Sequence, residues 1–474
     1  MKRKISVFLI TLLFVSSFLS CGIVSNDKIR NDQIETGVLE EYNNLINASK
    51  NFTSVEKFDN YLLKWANKRD IKASYDNYEN VIMSKAPAAG YENGNSINIQ
   101  TSIGLTDMEE RCLSIAMSLF VIENVPENNF MRIIFTNNDK GDFSGAKGIN
   151  SRYLFADYQI NLDWSYDKEK DPPEFTIING SAGTTINQMS QALQYVDSNY
   201  SKAYEISIKD LNGGDSNVLS VQHPNPIKII GDLLASCKSS GILFELGSFN
   251  GGSSPGTYPT NASITLVIND NDISKFTRKV KNSQNEFNST YGDKEENYTY
   301  SITEINPLDQ VLKLENTDSI VSLLYTLIDK VYLRDEETEE TVATSNIGQI
   351  STLNNEFKLI VCGRSVEKDG MNQLKDSYSI IASLSGMNYS LLAETPIWEA
   401  KDDNEILKAV TVLGKDKYGI EPKILRSFAE TENAYFVQNK YLINIISIKV
   451  NLDNYITQTQ LLLDIIKGKK SAVS

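Results

Sequence analysis

The chain has 474 residues, of which 41% are hydrophobic and 23% charged, a balance that supports folded domains with a substantial core and excludes a disordered stalk. Its formal charge of −15 argues against nucleic acid or an anionic bilayer surface as a direct partner. It contains a single histidine, His223, so a Ser-His-Asp or Cys-His arrangement would need that residue as its base, and no G-x-S-x-G elbow accompanies it.

The N-terminus reads as an export signal. Lys2, Arg3 and Lys4 form a basic start, Ile5 to Phe18 is apolar but short for a membrane span, and Ser20-Cys21-Gly22 follows. This is the pattern of a bacterial lipoprotein signal peptide over 1–20, with Cys21 as the lipidation site. An acylated Cys21, carrying palmitate-type chains, is expected to hold the protein on a membrane of the cell envelope on its extracytoplasmic side. Loss of the three basic residues with the leader takes the charge to −18. Residues 21–41 are expected to be a lipidated tether, with polar Ser25 to Thr36 as its leash.

Helical and strand patterns then alternate. Phe58 to Lys68 carries Tyr61, Leu62, Trp65 and Ala66 at helical spacing, and Asn80 to Ser84 and Ser96 to Gln100 read as short strands. Leu113 to Ile122 predicts an apolar helix, Met131 to Thr136 a buried strand, Gly145 to Leu154 a helix and Tyr158 to Leu162 a strand. From about Phe175 the style changes to longer alternating strands, Tyr204 to Ile208, Ile242 to Phe249 and Ser263 to Ile268. Helices Ile227 to Lys238 and Asp272 to Ser289 lie between them. After Trp398 the first style returns with a helix (Asn404 to Lys415), two strands (Lys423 to Ser427, Tyr441 to Lys449) and a closing helix (Tyr455 to Ile466). The economical reading is an α/β protein in which one domain is inserted into another: 42–176 with 394–470, interrupted by 177–393. Cys112, Cys237 and Cys362 are far apart, odd in number and set in apolar runs, so they read as buried small hydrophobes.

Several short segments occur in one order along the chain. Trp65-Ala66-Asn67-Lys68-Arg69, Pro87-Ala88-Ala89-Gly90-Tyr91-Glu92-Asn93, Gly145-Ala146-Lys147-Gly148 and Ile160-Asn161-Leu162-Asp163 lie in the first part. Leu211-Asn212-Gly213-Gly214, Asn250-Gly251-Gly252, Thr344-Ser345-Asn346-Ile347-Gly348 and Arg364-Ser365 lie in the insert. In this order the chain resembles the aminoacyl-histidine dipeptidases, the peptidase D branch of the co-catalytic zinc dipeptidase and carboxypeptidase superfamily, from about Tyr42 to Lys467. The resemblance implies a zinc-peptidase-like β/α domain with an inserted α+β lid, the lid mediating a homodimer in the relatives.

Carried over position by position, the resemblance implies a degenerate site. The first histidine ligand and its supporting aspartate belong to an H-L-D-M-V segment, but here Thr101-Ser102-Ile103-Gly104 follows Gln100 directly. The bridging carboxylate falls on either Asp107 or Glu110. Asp139 stands at the general base, and Lys140 at the neighbouring ligand, where an ammonium would stand in for a metal's charge. Asp163 matches a ligand aspartate, Glu432 matches the glutamate of E-C-G-L-F, and the last histidine ligand has no counterpart in Ser447-Ile448-Lys449-Val450-Asn451. In the insert Asp215 stands where the family's lid histidine lies, Arg364 keeps a cleft position, and His223 rescues no ligand position and reads as a surface or loop residue beside Pro224.

The expectation is therefore a lipid-anchored pseudopeptidase that binds peptide or protein without cutting it and needs no cofactor. Two alternatives stay open: an active metallodipeptidase, with zinc or another ion on a carboxylate-rich site, and a solute-binding protein.

Overall fold

A computed structural model describes residues 29–106, 108–164, 175–219, 223–438 and 444–467. Cys21 with the leader, and Asp107, lie outside the described residues. No helix among the described residues is long and apolar enough to cross a membrane.

The first body is an eight-stranded mixed sheet. Its order is Lys72–Tyr75, Val81–Lys85, Met131–Asn137, Ile97–Ile103, Tyr158–Trp164, Asn444–Val450, Thr176–Ser181, Lys423–Ser427. Ile97–Ile103 runs parallel to both Met131–Asn137 and Tyr158–Trp164, and Asn444–Val450 runs parallel to Tyr158–Trp164. Such central parallel strands need cover on both faces. One face receives the helices Asn31–Ser49, Met108–Asn124 and Tyr455–Ile466, whose apolar residues share one core with Ile99, Ile133, Ile160 and Ile448. The other face packs Ala146, Ile149, Trp398 and Phe436. The Met108–Asn124 helix buries every residue from Cys112 to Ile122, as its unbroken apolar run requires.

The chain leaves this sheet after Ser181 and enters the lid, so residues 177–181, expected in the insert, are strand residues of the body. The lid is a nine-stranded antiparallel sheet with Gly183–Ala192 between Glu356–Ser365 and Asn388–Glu394. The helices Pro226–Ser239, Ile273–Tyr291, Leu314–Thr326 and Lys368–Leu384 complete a second core with strand residues such as Ile206, Leu266 and Phe357. Asn225 caps the first of these through Ile227 N and Lys228 N, and Pro226 opens it. Gly252 has φ +67°, and a Cβ there would lie 2.0 Å from the Gly348 carbonyl oxygen, so the two glycine segments read from the sequence are a backbone-on-backbone contact. Backbone bonds Ser181 N to Trp398 O and Trp398 N to Ser181 O join the two crossings between body and lid.

Three expectations change. The polar leash ends early, because Asn31–Ser49 is a helix that buries Ile34, Val38 and Leu45. Its buried Glu41 accepts from Trp65 Nε1 at 3.0 Å and pairs with Arg69 at 2.9 Å, which gives the Trp65 to Arg69 segment a structural role. Gly145 to Leu154 is not one helix but the short helix Ser144–Gly148 and a 3₁₀ turn, Ser151–Tyr153. A Cβ on Gly145 would meet Asn80 at 2.4 Å and one on Gly148 would meet Tyr78 at 2.0 Å, so these glycines serve close packing at the expense of helix propensity. His223 does lie in a loop beside Pro224, but it is half-buried in the lid and not at the surface, its Nδ1 3.8 Å from the buried carboxylate of Glu295 and its ring 5.5 Å from that of Tyr258. The three cysteines are buried and free, and burial pushes the thiols of Cys112 and Cys237 up to about 12.

Candidate functional site

Parallel strands collect functional groups at their carboxyl ends, where the strand order reverses. Here Ile97–Ile103 is followed by a strand on one side and then by Tyr158–Trp164 on the other. A cavity of about 220 Å³ opens at that point. Thr101 and Ser102 line it from the first strand and Asn161, Leu162 and Asp163 from the second. The helix Met108–Asn124 contributes Glu110, Arg111 and Ser114, and the loop into the helix Glu432–Gln438 contributes Glu430, Thr431 and Glu432.

Glu432 is held by a polar network inside the sheet. Its Oε2 accepts from Thr136 Oγ1 at 2.8 Å and from Gln100 Nε2, while Gln100 Nε2 also donates to Thr136 Oγ1 at 2.7 Å and Gln100 Oε1 accepts from Asn161 Nδ2. Its other oxygen, Oε1, is buried and accepts from nothing among the described residues. Burial pushes this carboxyl up to about 7; the Thr136 and Gln100 bonds and the Arg111 charge oppose the shift, and the Asp163 charge adds to it. Arg111 reaches Ser102 Oγ through Nη1, while its Nε and the Ser114 hydroxyl are buried without partners among the described residues.

The sequence-derived residues divide. Glu110, Asp163 and Glu432 line one cavity, so of the two candidates for the bridging position Glu110 is at the site, while Asp107 lies outside the described residues. Asp139 does not line it. Its Oδ1 accepts from Leu105 N at 2.7 Å and its own N donates to Asn137 Oδ1 at 3.0 Å, so it fastens the turn after the Met131–Asn137 strand to the loop after Ile97–Ile103. Lys140 is exposed on that turn and brings no charge to the cavity; the cation there is Arg111. Asp215 is exposed on the ribbon formed by Gly214–Asp215 and Thr257–Tyr258. Arg364 sits at the lid–body junction, donating to Thr184 Oγ1 at 2.9 Å and lying 3.7 Å from Glu430.

Arg111, Gln100, Thr136 and Phe143 were not foreseen. Gln100 and Thr136 carry only a weak signal, because their strands also hold Asn98, Thr101 and Arg132 beside Ile97, Ile99, Ile133 and Phe135. Phe143, also on the cavity wall, carries none; it adopts φ +57°, a left-handed conformation that costs a bulky residue about 1 kcal/mol or more, with its N donating to Asn138 Oδ1 at 2.9 Å. Among the described residues no three His, Cys, Asp or Glu side chains are grouped to hold a metal ion.

No family model matches the chain. It is 20% identical over 392 residues to the cytosol non-specific dipeptidase of Escherichia coli (strain K12), an alignment covering 75% of this chain and 79% of that protein. The crystal structure of aminoacylhistidine dipeptidase from Vibrio alginolyticus superposes with a TM-score of 0.73 at 19% identity, covering 87% of this chain and 93% of the other. The chain is therefore a sequence homologue of a dipeptidase and carries the fold of aminoacylhistidine dipeptidase, body and lid together.

Proposed function

We propose that the protein is a lipid-anchored envelope protein whose dipeptidase-like cavity binds peptides without hydrolysing them. The observation that carries this reading is the chemistry of the cavity wall. A two-zinc peptidase centre takes imidazole nitrogens together with carboxylates around an open position for water. The donors here do not fit such a centre. The chain's one imidazole is engaged in the lid with Glu295, a guanidinium stands among the carboxylates, and Glu432 is a carboxyl that burial favours in its neutral form. A cation that cannot give up its proton keeps two dications at a distance by charge alone. The general-base position is also spent otherwise, since Asp139 accepts a backbone hydrogen bond away from the cavity. Behind the wall, fully buried Gln100 and Thr136 hold Glu432 in place, and Thr101, Ser102, Asn138 and Asn161 still present a concave polar surface, which is what a binding protein needs. Anchoring through Cys21 rests on the sequence pattern alone.

The test is metal content and turnover of the purified full chain after exposure to zinc or manganese and desalting. The expected result is no retained metal and no cleavage of dipeptides. Close to two equivalents of metal with dipeptide hydrolysis abolished by Asp163→Ala would overturn the reading. The anchor is tested separately, by labelled palmitate incorporation that disappears in Cys21→Ala.

A further inference from the structure

Which part of a peptide the cavity would hold follows from the groups it leaves open. Three buried polar groups on its wall lack partners among the described residues: the acceptor Glu432 Oε1, the hydroxyl of Ser114 and the donor Arg111 Nε. Glu432 is 5% exposed and Ser114 1%, so neither can turn to bulk water. An orphaned buried polar group costs roughly 1–3 kcal/mol, which a ligand of matching pattern recovers. Glu110, Asp163, Glu430 and Glu432 give the wall four carboxyl groups against one guanidinium, and the further cation Arg364 stands against Glu430. Even with Glu432 neutral, Glu110, Asp163 and Glu430 outnumber Arg111 and Arg364, so a cationic ligand portion suits the wall.

We propose that the cavity takes the free α-amino end of a peptide, its ammonium donating to Glu432 Oε1 and Ser114 Oγ and its first carbonyl oxygen accepting from Arg111 Nε. The proposal rests on the peptide-binding reading above. An ammonium brings three donors and the adjacent carbonyl brings an acceptor, which is the complement of the open set. Size agrees: about 220 Å³ is below the ~300 Å³ at which pockets for drug-sized molecules begin, and suits one terminal residue with the remainder of the chain leading out. The ring of Phe143, held on the wall by a strained backbone, adds an aromatic surface of the kind that attracts organic cations. A naked divalent ion makes poorer use of the site, because it would leave Arg111 Nε without an acceptor and bring it a second positive charge.

The experiment is equilibrium dialysis of the full chain, in detergent, against an equimolar pool of Xaa-Ala dipeptides and against the same pool N-acetylated, with retained and cleaved species read by mass spectrometry. The proposal expects retention of free-amino dipeptides intact, with N-acetylated ones held at least tenfold more weakly. Glu432→Gln and, independently, Asp163→Asn are expected to remove most of that preference; circular dichroism establishes that each is folded. Equal retention of both pools overturns the assignment of the amino end while leaving peptide binding standing. Retention of neither pool overturns both. Cleavage overturns the non-catalytic reading. Displacement of retained dipeptide by calcium or zinc chloride alone, lost in Glu432→Gln, overturns the proposal in favour of an inorganic cation.

Discussion

Body and lid both bury polar side chains and both leave some without partners among the described residues, but the lid's Gln191 Nε2, Thr317 Oγ1 and Asn346 Oδ1 lie on separate elements, whereas the body gathers three on one cavity wall. At the lid's junction end Tyr378 donates to Ser345 Oγ at 2.8 Å, Ser365 Oγ donates to Val342 O at 3.1 Å and Arg364 donates to Thr184. At the cavity of the body Arg111 Nε, Ser114 Oγ and Glu432 Oε1 have no partner among the described residues. Closed networks fix a structure, whereas open ones around a cavity wait for a ligand. Peptide binding as proposed above would therefore fall to the body's cavity, and the lid's closed networks would serve stability.

Variants in each region sharpen this contrast. The largest effect is expected in the lid: Phe357→Ala, at a fully buried ring, should cost about 3–5 kcal/mol by denaturant unfolding, with dipeptide retention unchanged at temperatures where it stays folded. Next comes a pH effect in the body. Glu432 has a folded carboxyl pushed up to about 7 from an ordinary 4.5, so its contribution is fully present below pH 4.5 and is lost as pH rises through about 7. Glu432→Gln should therefore flatten the stability profile between pH 4.5 and 7, raising stability at pH 7.5 relative to the parent by about 1–3 kcal/mol. Asp59, a second buried carboxyl pushed up to about 7 by burial, acts with the same sign but does not line the cavity. Asp59→Asn should therefore change the pH profile with no effect on dipeptide retention, and an equal loss of retention in both variants would break the contrast.

Smaller changes are expected elsewhere. Thr136→Val removes one donor to Glu432 Oε2 and should cost about 1–2 kcal/mol while pushing the carboxyl still higher, read as an upward shift of the midpoint in the same pH series. Lys140→Ala, at an exposed turn, should stay within about 0.5 kcal/mol in stability and leave retention intact.

Much of the architecture was legible because hydrophobic period maps directly onto local structure. The apolar run ending at Ile122, the strand from Met131 and the helix Tyr455–Ile466 all lie where the pattern put them. The Asn31–Ser49 helix was not legible, since only Ile34, Val38, Glu41 and Leu45 face inward along 19 residues and the rest is polar enough to read as a tether. Asp163 and Glu432 were legible through the family resemblance and do meet at one cavity. Asp139 and Lys140 were misplaced for one reason: a resemblance carried over position by position preserves order along the chain but does not say how the turn 139–141 points its side chains. Arg111 escaped notice because, beside Glu110 at a helix start, it looks like an ordinary solvated charge.

The ion pair between Arg364 of the lid and Glu430 of the cavity rim has a thermodynamic consequence. Any motion that carries the lid away from the body strips Glu430 of its guanidinium and makes the rim more negative. Lid position and affinity for a cationic ligand are then two readings of one coupling energy, and the linkage is reciprocal: whatever the lid does to the ligand, the ligand does to the lid.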